Sequence, residues 1–152
     1  MIRVAQPTDA GAVAAILSEF IDTTDWMPRL YSRAEELSFA GTMVDRGWVL
    51  VAEPAGQGTG IAGFMALHSG FIHALYVARA HRGQGVGLEL LDHAKAGARM
   101  LELNTFQINA GAQRFYARAG FREVGRGDGR GQGSVNDEGL PDIRLIWERD
   151  VA

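Results

Sequence analysis

Hydrophobic periodicity switches along the chain between two residues and three to four, and each switch marks an element. Ile2 to Ala5 is a short strand candidate. Pro7, Thr8 and Asp9 then offer an N-cap, and Val13, Ile16, Leu17 and Phe20 follow at the spacing of one helical face. From Asp22 to Tyr31 the period breaks around Pro28 while Trp26, Met27 and Tyr31 persist, which predicts an irregular segment or a short helix. Ser32 and Glu35 stand at capping-box spacing, so a second helix is expected through Leu37, Ala40, Met43 and Val44, closing near Gly47.

Trp48 to Ala52 and Ile61 to Leu67 are apolar at successive positions, as strands covered on both faces are. Pro54 to Gly60 reads as a flexible hairpin connection and Ser69-Gly70 as a tight turn, which makes Phe71 to Val77 the third strand of an antiparallel meander. A glycine loop then runs into a helix with Val86, Leu90, Leu91, Ala94 and Ala98 on one side and Glu89, Asp92, Lys95 and Arg99 on the other. Leu101 to Phe106, Phe121 to Val124 and Ile143 to Trp147 are further strands, with a short helix over Ala110 to Ala119. Gly125 to Gly133 alternates glycine with polar residues and is expected to be a mobile loop. The predicted fold is mixed α/β, a largely antiparallel central sheet flanked by helices, in a single domain over residues 1–152.

Composition narrows the function. A chain of 152 residues suits one core. Fifteen Lys and Arg against eighteen Asp and Glu leave a net charge of −3, which disfavours a nucleic-acid partner or an anionic membrane surface. No apolar run has the length of a signal core or a membrane span, so a cytoplasmic protein is expected. Cysteine is absent, which removes disulfides, thiolate metal ligands and a cysteine nucleophile together. No histidine and carboxylate spacing argues for a metal.

The chemistry concentrates at Arg82-Gly83-Gln84-Gly85-Val86-Gly87, between an apolar strand and a helix. Unpaired N–H groups there converge at the positive end of a helix dipole, a site suited to phosphate or pyrophosphate. An NTPase loop requires Lys and Ser or Thr after its last glycine, whereas Leu88 and Glu89 follow Gly87. A dinucleotide fingerprint requires glycine at its sixth position, and that place holds Leu88 or Leu90. What remains is R-x-x-G-x-G, filled by Arg82, Gly85 and Gly87. Leu75-Tyr76-Val77 precedes it, and Asn109 to Phe121 follows with Asn109, Ala112, Phe115, Tyr116, Gly120 and Phe121 in the order N-x-x-A-x-x-F-Y-x-x-x-G-F. Together these resemble the cofactor-strand sequence and the two signatures of the GNAT superfamily of N-acetyltransferases, over roughly Ile72 to Phe121. The residue commonly proline before the loop is Arg79 or Ala80 here, and the acidic residues often found on the cofactor strand are missing, so the proton acceptor is not given by the pattern.

The resemblance implies the acyl-CoA N-acyltransferase fold, acetyl-CoA as co-substrate, no metal, a small-molecule or peptide amine as acceptor, and a homodimer as an assembly found among relatives. It implies that amides of Gln84, Gly85, Val86, Gly87 and Leu88 hold the pyrophosphate with Gly83 and Arg82 beside them. Leu75, Tyr76 and Val77 would pair with the pantetheine, Asn109 would hydrogen-bond it from the other side, and Ala112 and Phe115 would supply small and apolar surface. Tyr116 is the implied acid, since a phenol is protonated at neutral pH and can donate to a departing thiolate. His73 is the ionisable side chain of its strand, two residues before Leu75, and is the candidate base. A lone strand histidine more often packs than catalyses, and the same holds for His68. Trp26 and Tyr31 are acceptor-pocket candidates, with Asp22 or Asp25 to attract a cationic amine. One of Arg114, Arg118, Arg122 and Arg126 is expected to meet the nucleotide 3′-phosphate. Two other classes fit less well: a coenzyme A sensing module that has lost its chemistry, and a nucleic-acid or protein-interaction domain using the arginines.

Overall fold

The computed structural model describes residues 1–54, 60–133 and 135–150. The predicted connection over Pro54 to Gly60 falls largely on residues 55–59, outside the described ones. The chain divides into two compact units, Met1–Ala94 and Lys95–Ala152. No helix among the described residues is long and apolar enough to cross a membrane.

In the first unit β1 (Ile2–Val4), β2 (Val49–Ala52), β3 (Gly63–His68) and β4 (Phe71–Val77) pair antiparallel in that order. Two helices, α1 (Ala10–Asp22) and α2 (Arg33–Asp45), supply the core that Val13, Ile16, Ala40 and Val44 build with Val49, Val51, Phe64 and Ala66. Ser69 and Gly70 turn from β3 to β4 with φ of 50° and 80°, as a two-residue hairpin of this hand requires.

The capping box is present. The Glu35 N–H donates to Ser32 Oγ and the Ser32 N–H to Glu35 Oε1, each at 3.1 Å. The expected cap on α1 is not. Asp9 ends a 3-10 turn, Pro7–Asp9, in helical conformation, and its carboxylate instead accepts from the Gln6 N–H at 2.7 Å and from both Arg3 terminal nitrogens at 2.7 and 3.1 Å. A helix entered through a 3-10 turn leaves its cap residue no extended backbone from which to reach back.

The second unit holds β5 (Met100–Phe106), β6 (Arg122–Gly127) and β7 (Asp142–Glu148), antiparallel with β7 in the middle, and α4 (Ala110–Arg118). A further helix, α3 (Val86–Ala96), starts in the first unit and ends two residues short of the predicted Ala98. There the Arg149 guanidinium donates to the carbonyls of Lys95 at 2.6 Å and Ala98 at 3.1 Å, satisfying the last turn.

β6 runs three residues beyond the predicted Val124, because Gly125, Arg126 and Gly127 pair with Arg144, Ile143 and Asp142. The expected mobile loop is therefore partly strand, and the stretch leading from β6 to β7 is internally bonded. Asp128 Oδ1 accepts from the Arg130 N–H at 2.8 Å and the Gln132 N–H at 3.0 Å. Asn136 Nδ2 donates to the Leu140 carbonyl at 2.8 Å and to Asp142 Oδ2 at 3.1 Å. Glycine spacing concealed this order, since side chains at 128, 136 and 142 supply the bonds.

Candidate active site

The predicted site residues form two sets, one in each unit. In the first, β4 ends at Val77 and a 3-10 turn, Arg79–His81, leads to the glycine loop. Ala74 and Tyr76 of β4, and Ala78 just after it, pack on the α1 and α2 core, so alternate positions are anchored from one side. Gly83 and Gly85 adopt φ of 76° and 78°, the left-handed region that favours glycine, and α3 begins directly after at Val86. Val86 is buried, whereas Arg82, Gly83, Gln84, Gly85 and Leu88 are exposed. Most of the loop is thus solvent-exposed directly before a helix N-terminus, a setting suited to an anionic diphosphate.

Sequence reasoning missed two braces on this loop. The Arg79 N–H donates to Glu19 Oε1 on α1 at 2.7 Å, and His81 Nδ1 lies 3.3 Å from Gln84 Oε1. A third missed residue is Gly63, on β3 opposite Val77. A Cβ there would stand 2.9 Å from the Tyr76 carbonyl oxygen and 3.0 Å from Val86 Cγ1. The signal available was a glycine inside an otherwise apolar strand, which marks a close backbone approach.

His73 does not follow simple alternation. The β3 and β4 register shifts, pairing Ala66 with Ala74 but Leu67 with Ile72, so His73 is the extra residue of a bulge. The count of two that would set it beside Leu75 is interrupted there. Its ring stacks on Trp48, with centroids 5.1 Å apart and planes 15° apart, and meets Phe71 at 4.8 Å. Trp48 also stacks on His68 at 4.6 Å. Desolvation, with a smaller contribution from the charge of His68, holds the His73 pKa below the ordinary histidine value.

Trp26 meets Phe20 edge-on at 6.3 Å, Phe20 meets Tyr76 at 4.8 Å, and Tyr76 meets Phe64 at 5.8 Å. Trp26 is therefore one ring removed from β4. Tyr31 pairs instead with Phe39 on α2, at 5.0 Å and 87°. The expectation that Asp22 attracts an amine does not hold: Arg33 Nη2 donates to its Oδ2 at 2.9 Å and Arg29 also donates to its Oδ1. Hydrogen bonds from Arg33 and Arg29 hold its carboxyl below the usual carboxylate range. Among the described residues no arginine or lysine engages Asp25.

In the second unit Asn109 caps α4, its Oδ1 accepting from the Ala112 N–H at 3.0 Å. The carbonyl end of the side chain is spent on the helix, and its Nδ2 is the end left to donate to a ligand. Gln113 fixes the same turn by donating to the carbonyls of Phe106 and Gln107 at 3.2 and 2.8 Å. Tyr116 is 8% exposed, its ring edge-on to Phe115 at 5.1 Å and to Phe121 at 5.4 Å. That packing leaves the ring few alternative rotamers. Ala112 and Phe115 are half-buried. Of the four arginines, Arg122 pairs with Glu148 at 2.6 Å and Arg126 with Glu123, while Arg114 and Arg118 are exposed on α4. Among the described residues no group of three or more His, Asp or Glu is placed to hold a metal ion.

The family profile described as the acetyltransferase (GNAT) domain matches residues 45–123. Peptidyl-lysine N-acetyltransferase YjaB of Salmonella typhimurium is 30% identical over 143 residues, spanning 92% of this chain and 91% of that protein. The solution structure of apo-form YjaB from Escherichia coli superposes with a TM-score of 0.75 at 28% identity, covering 97% of this chain and 96% of that one. The structure of yncA from Salmonella typhimurium with its cofactor acetyl-CoA superposes with a TM-score of 0.69 at 24% identity, covering 100% and 95%.

Proposed function

Since the chain belongs to the GNAT acetyltransferase family and is an acyltransferase, we propose that it transfers the acetyl group of acetyl-CoA to a primary amine by direct attack in a ternary complex. The observation that carries this is the exposed loop before α3, where Gly83 and Gly85 take left-handed conformations and the helix starts directly after at Val86. These amides, Gln84 to Leu88, hold the diphosphate, with Arg82 adding charge and Arg114 or Arg118 meeting the 3′-phosphate. Leu75, Tyr76 and Val77 align the pantetheine along β4, and Asn109 Nδ2 donates to it.

In the reaction the amine lone pair attacks the thioester carbonyl, the C–N bond forms and the C–S bond breaks. His73, directly or through water, takes the proton from the attacking nitrogen, and its lowered pKa keeps it neutral for that task. Tyr116 donates a proton to the departing thiolate. A peptidyl lysine is the favoured acceptor, on the strength of the relative named for that activity. Trp26 offers an aromatic surface for the lysine stem and Asp25 a carboxylate for its charge.

Thermal shift tests the co-substrate. Acetyl-CoA at about 100 times its Kd stabilises the fold by about 2.7 kcal/mol, which raises Tm by roughly 5 to 10 °C at this size. NADH and ATP at the same concentration leave Tm unchanged. No shift with acetyl-CoA overturns the reading. Release of free thiol with a lysine peptide tests the acceptor, and binding without turnover across an amine library would point instead to a sensing module.

A further inference from the structure

The connection between α1 and α2, residues 23–32, carries Trp26 and is tied to both helices by one side chain. Arg29 Nη1 donates to Glu36 Oε1 at 2.8 Å, and its Nη2 donates to Asp22 Oδ1 and, at 3.5 Å, to the Ser18 carbonyl. Ser18 Oγ donates to the same Glu36 oxygen at 2.5 Å, and Arg33 Nη2 donates to both oxygens of Asp22. Glu36 is 2% exposed, and its Oε2 has no hydrogen-bond partner among the described residues.

A buried carboxylate with one oxygen unsatisfied is a costly way to join two helices, since apolar residues of similar volume usually serve as well. What ion pairs supply and apolar packing does not is direction. The planar guanidinium reaches Glu36 and Asp22 with different nitrogens, so it fixes its own backbone three residues after Trp26. Trp26 in turn rests on Phe20, and Phe20 on Tyr76 of β4.

We propose that Arg29 is a positioning residue for the acceptor: through Glu36 and Asp22 it sets the connection so that the Trp26 ring, backed by Phe20, forms one wall for the aliphatic stem of a lysine side chain. The inference rests on the acetyltransferase reading above and deepens it. It places acceptor recognition in a segment whose orientation is set by charge, while co-substrate binding rests on the loop before α3.

The test is a steady-state comparison of wild type, Arg29→Lys and the double variant Arg29→Met with Glu36→Gln, which removes the buried charge along with its partner so that the fold survives. The amine is acetyl-Gly-Lys-Gly-amide or, should that not turn over, the best amine of the thiol-release screen. In the double variant the acceptor KM rises about tenfold or more, while kcat and the acetyl-CoA Kd stay within about twofold. Arg29→Lys, which keeps the charge but loses the fork, falls between. An unchanged acceptor KM in folded variants overturns the proposal, as does a loss confined to Tm. Failure of wild type to bind acetyl-CoA would instead remove the acetyltransferase reading, so the two failures are separable.

Discussion

Replacing Gly63 by alanine tests whether the close approach of β3 to the β4 backbone and to the Val86 side chain builds the co-substrate site. The added Cβ would stand 2.9 Å from the Tyr76 carbonyl oxygen, 3.0 Å from Val86 Cγ1 and 3.4 Å from Val77 Cα. The first of these is about half an ångström inside ordinary contact, and its partner is backbone, which no rotamer change can move aside. Overpacking of this kind costs about 1–3 kcal/mol, or roughly 2 to 12 °C in Tm for a chain of this length. Relief requires β4 or the first turn of α3 to retreat, and both carry the proposed contacts to acetyl-CoA. Loss of one hydrogen bond to the charged diphosphate costs about 1.5 kcal/mol or more, which predicts about tenfold weaker acetyl-CoA binding. Gly41→Ala is the matched control, because that glycine lies inside α2 with nothing within 4 Å of the new carbon. The same methyl group there gains about 0.5–1 kcal/mol by helix propensity. Thermal unfolding and isothermal titration with acetyl-CoA measure both quantities. A Gly63→Ala protein that melts with wild type and binds acetyl-CoA equally well would refute the argument.

Two further outcomes concern the chemistry. Tyr116→Phe should keep the acetyl-CoA thermal shift while turnover falls about a hundred to ten thousand fold, as loss of a positioned acid does; undiminished turnover removes Tyr116 from the mechanism. His73 has a folded pKa below its ordinary value, so its neutral form, the one able to accept a proton, is favoured by the fold. The acidic limb of kcat/KM therefore lies below pH 6.5, with activity rising as pH rises through the lowered value. Stability linked to this group is present above the unfolded pKa and is lost as pH falls through the folded one. His73→Gln should abolish that limb, and a limb that persists assigns the base elsewhere.

Where the rules are local, the residues themselves foretold the structure. Ser32 and Glu35 close their box across three residues, and Ser69 and Gly70 turn within two. Other residues answer to partners outside their own element. Asp9 answers to Arg3 before the helix starts, Asp22 to two arginines beyond it, and Gly125 to Gly127 to a strand fifteen or more positions later. Asn109, which the motif points toward a ligand, is also a helix cap, a role its own sequence neighbourhood permits and only the turn geometry reveals.

The order of motifs, with a loop of glycines between an apolar run and an amphipathic one and N-x-x-A-x-x-F-Y-x-x-x-G-F after it, sufficed by itself to identify the fold family and the kind of reaction. That identification rests on resemblance to the family's signatures; what spacing adds is a glycine loop suited to an anion, because backbone dihedrals and helix dipoles act over a few residues. Tertiary structure alone decided that His73 sits on a bulge against Trp48, that a buried Glu36 is gripped by Arg29, and that Gly63 admits β4 and α3 at close range. Those facts depend on which distant segments meet, and contact between them is set by the packing of the whole core, which no window of sequence contains.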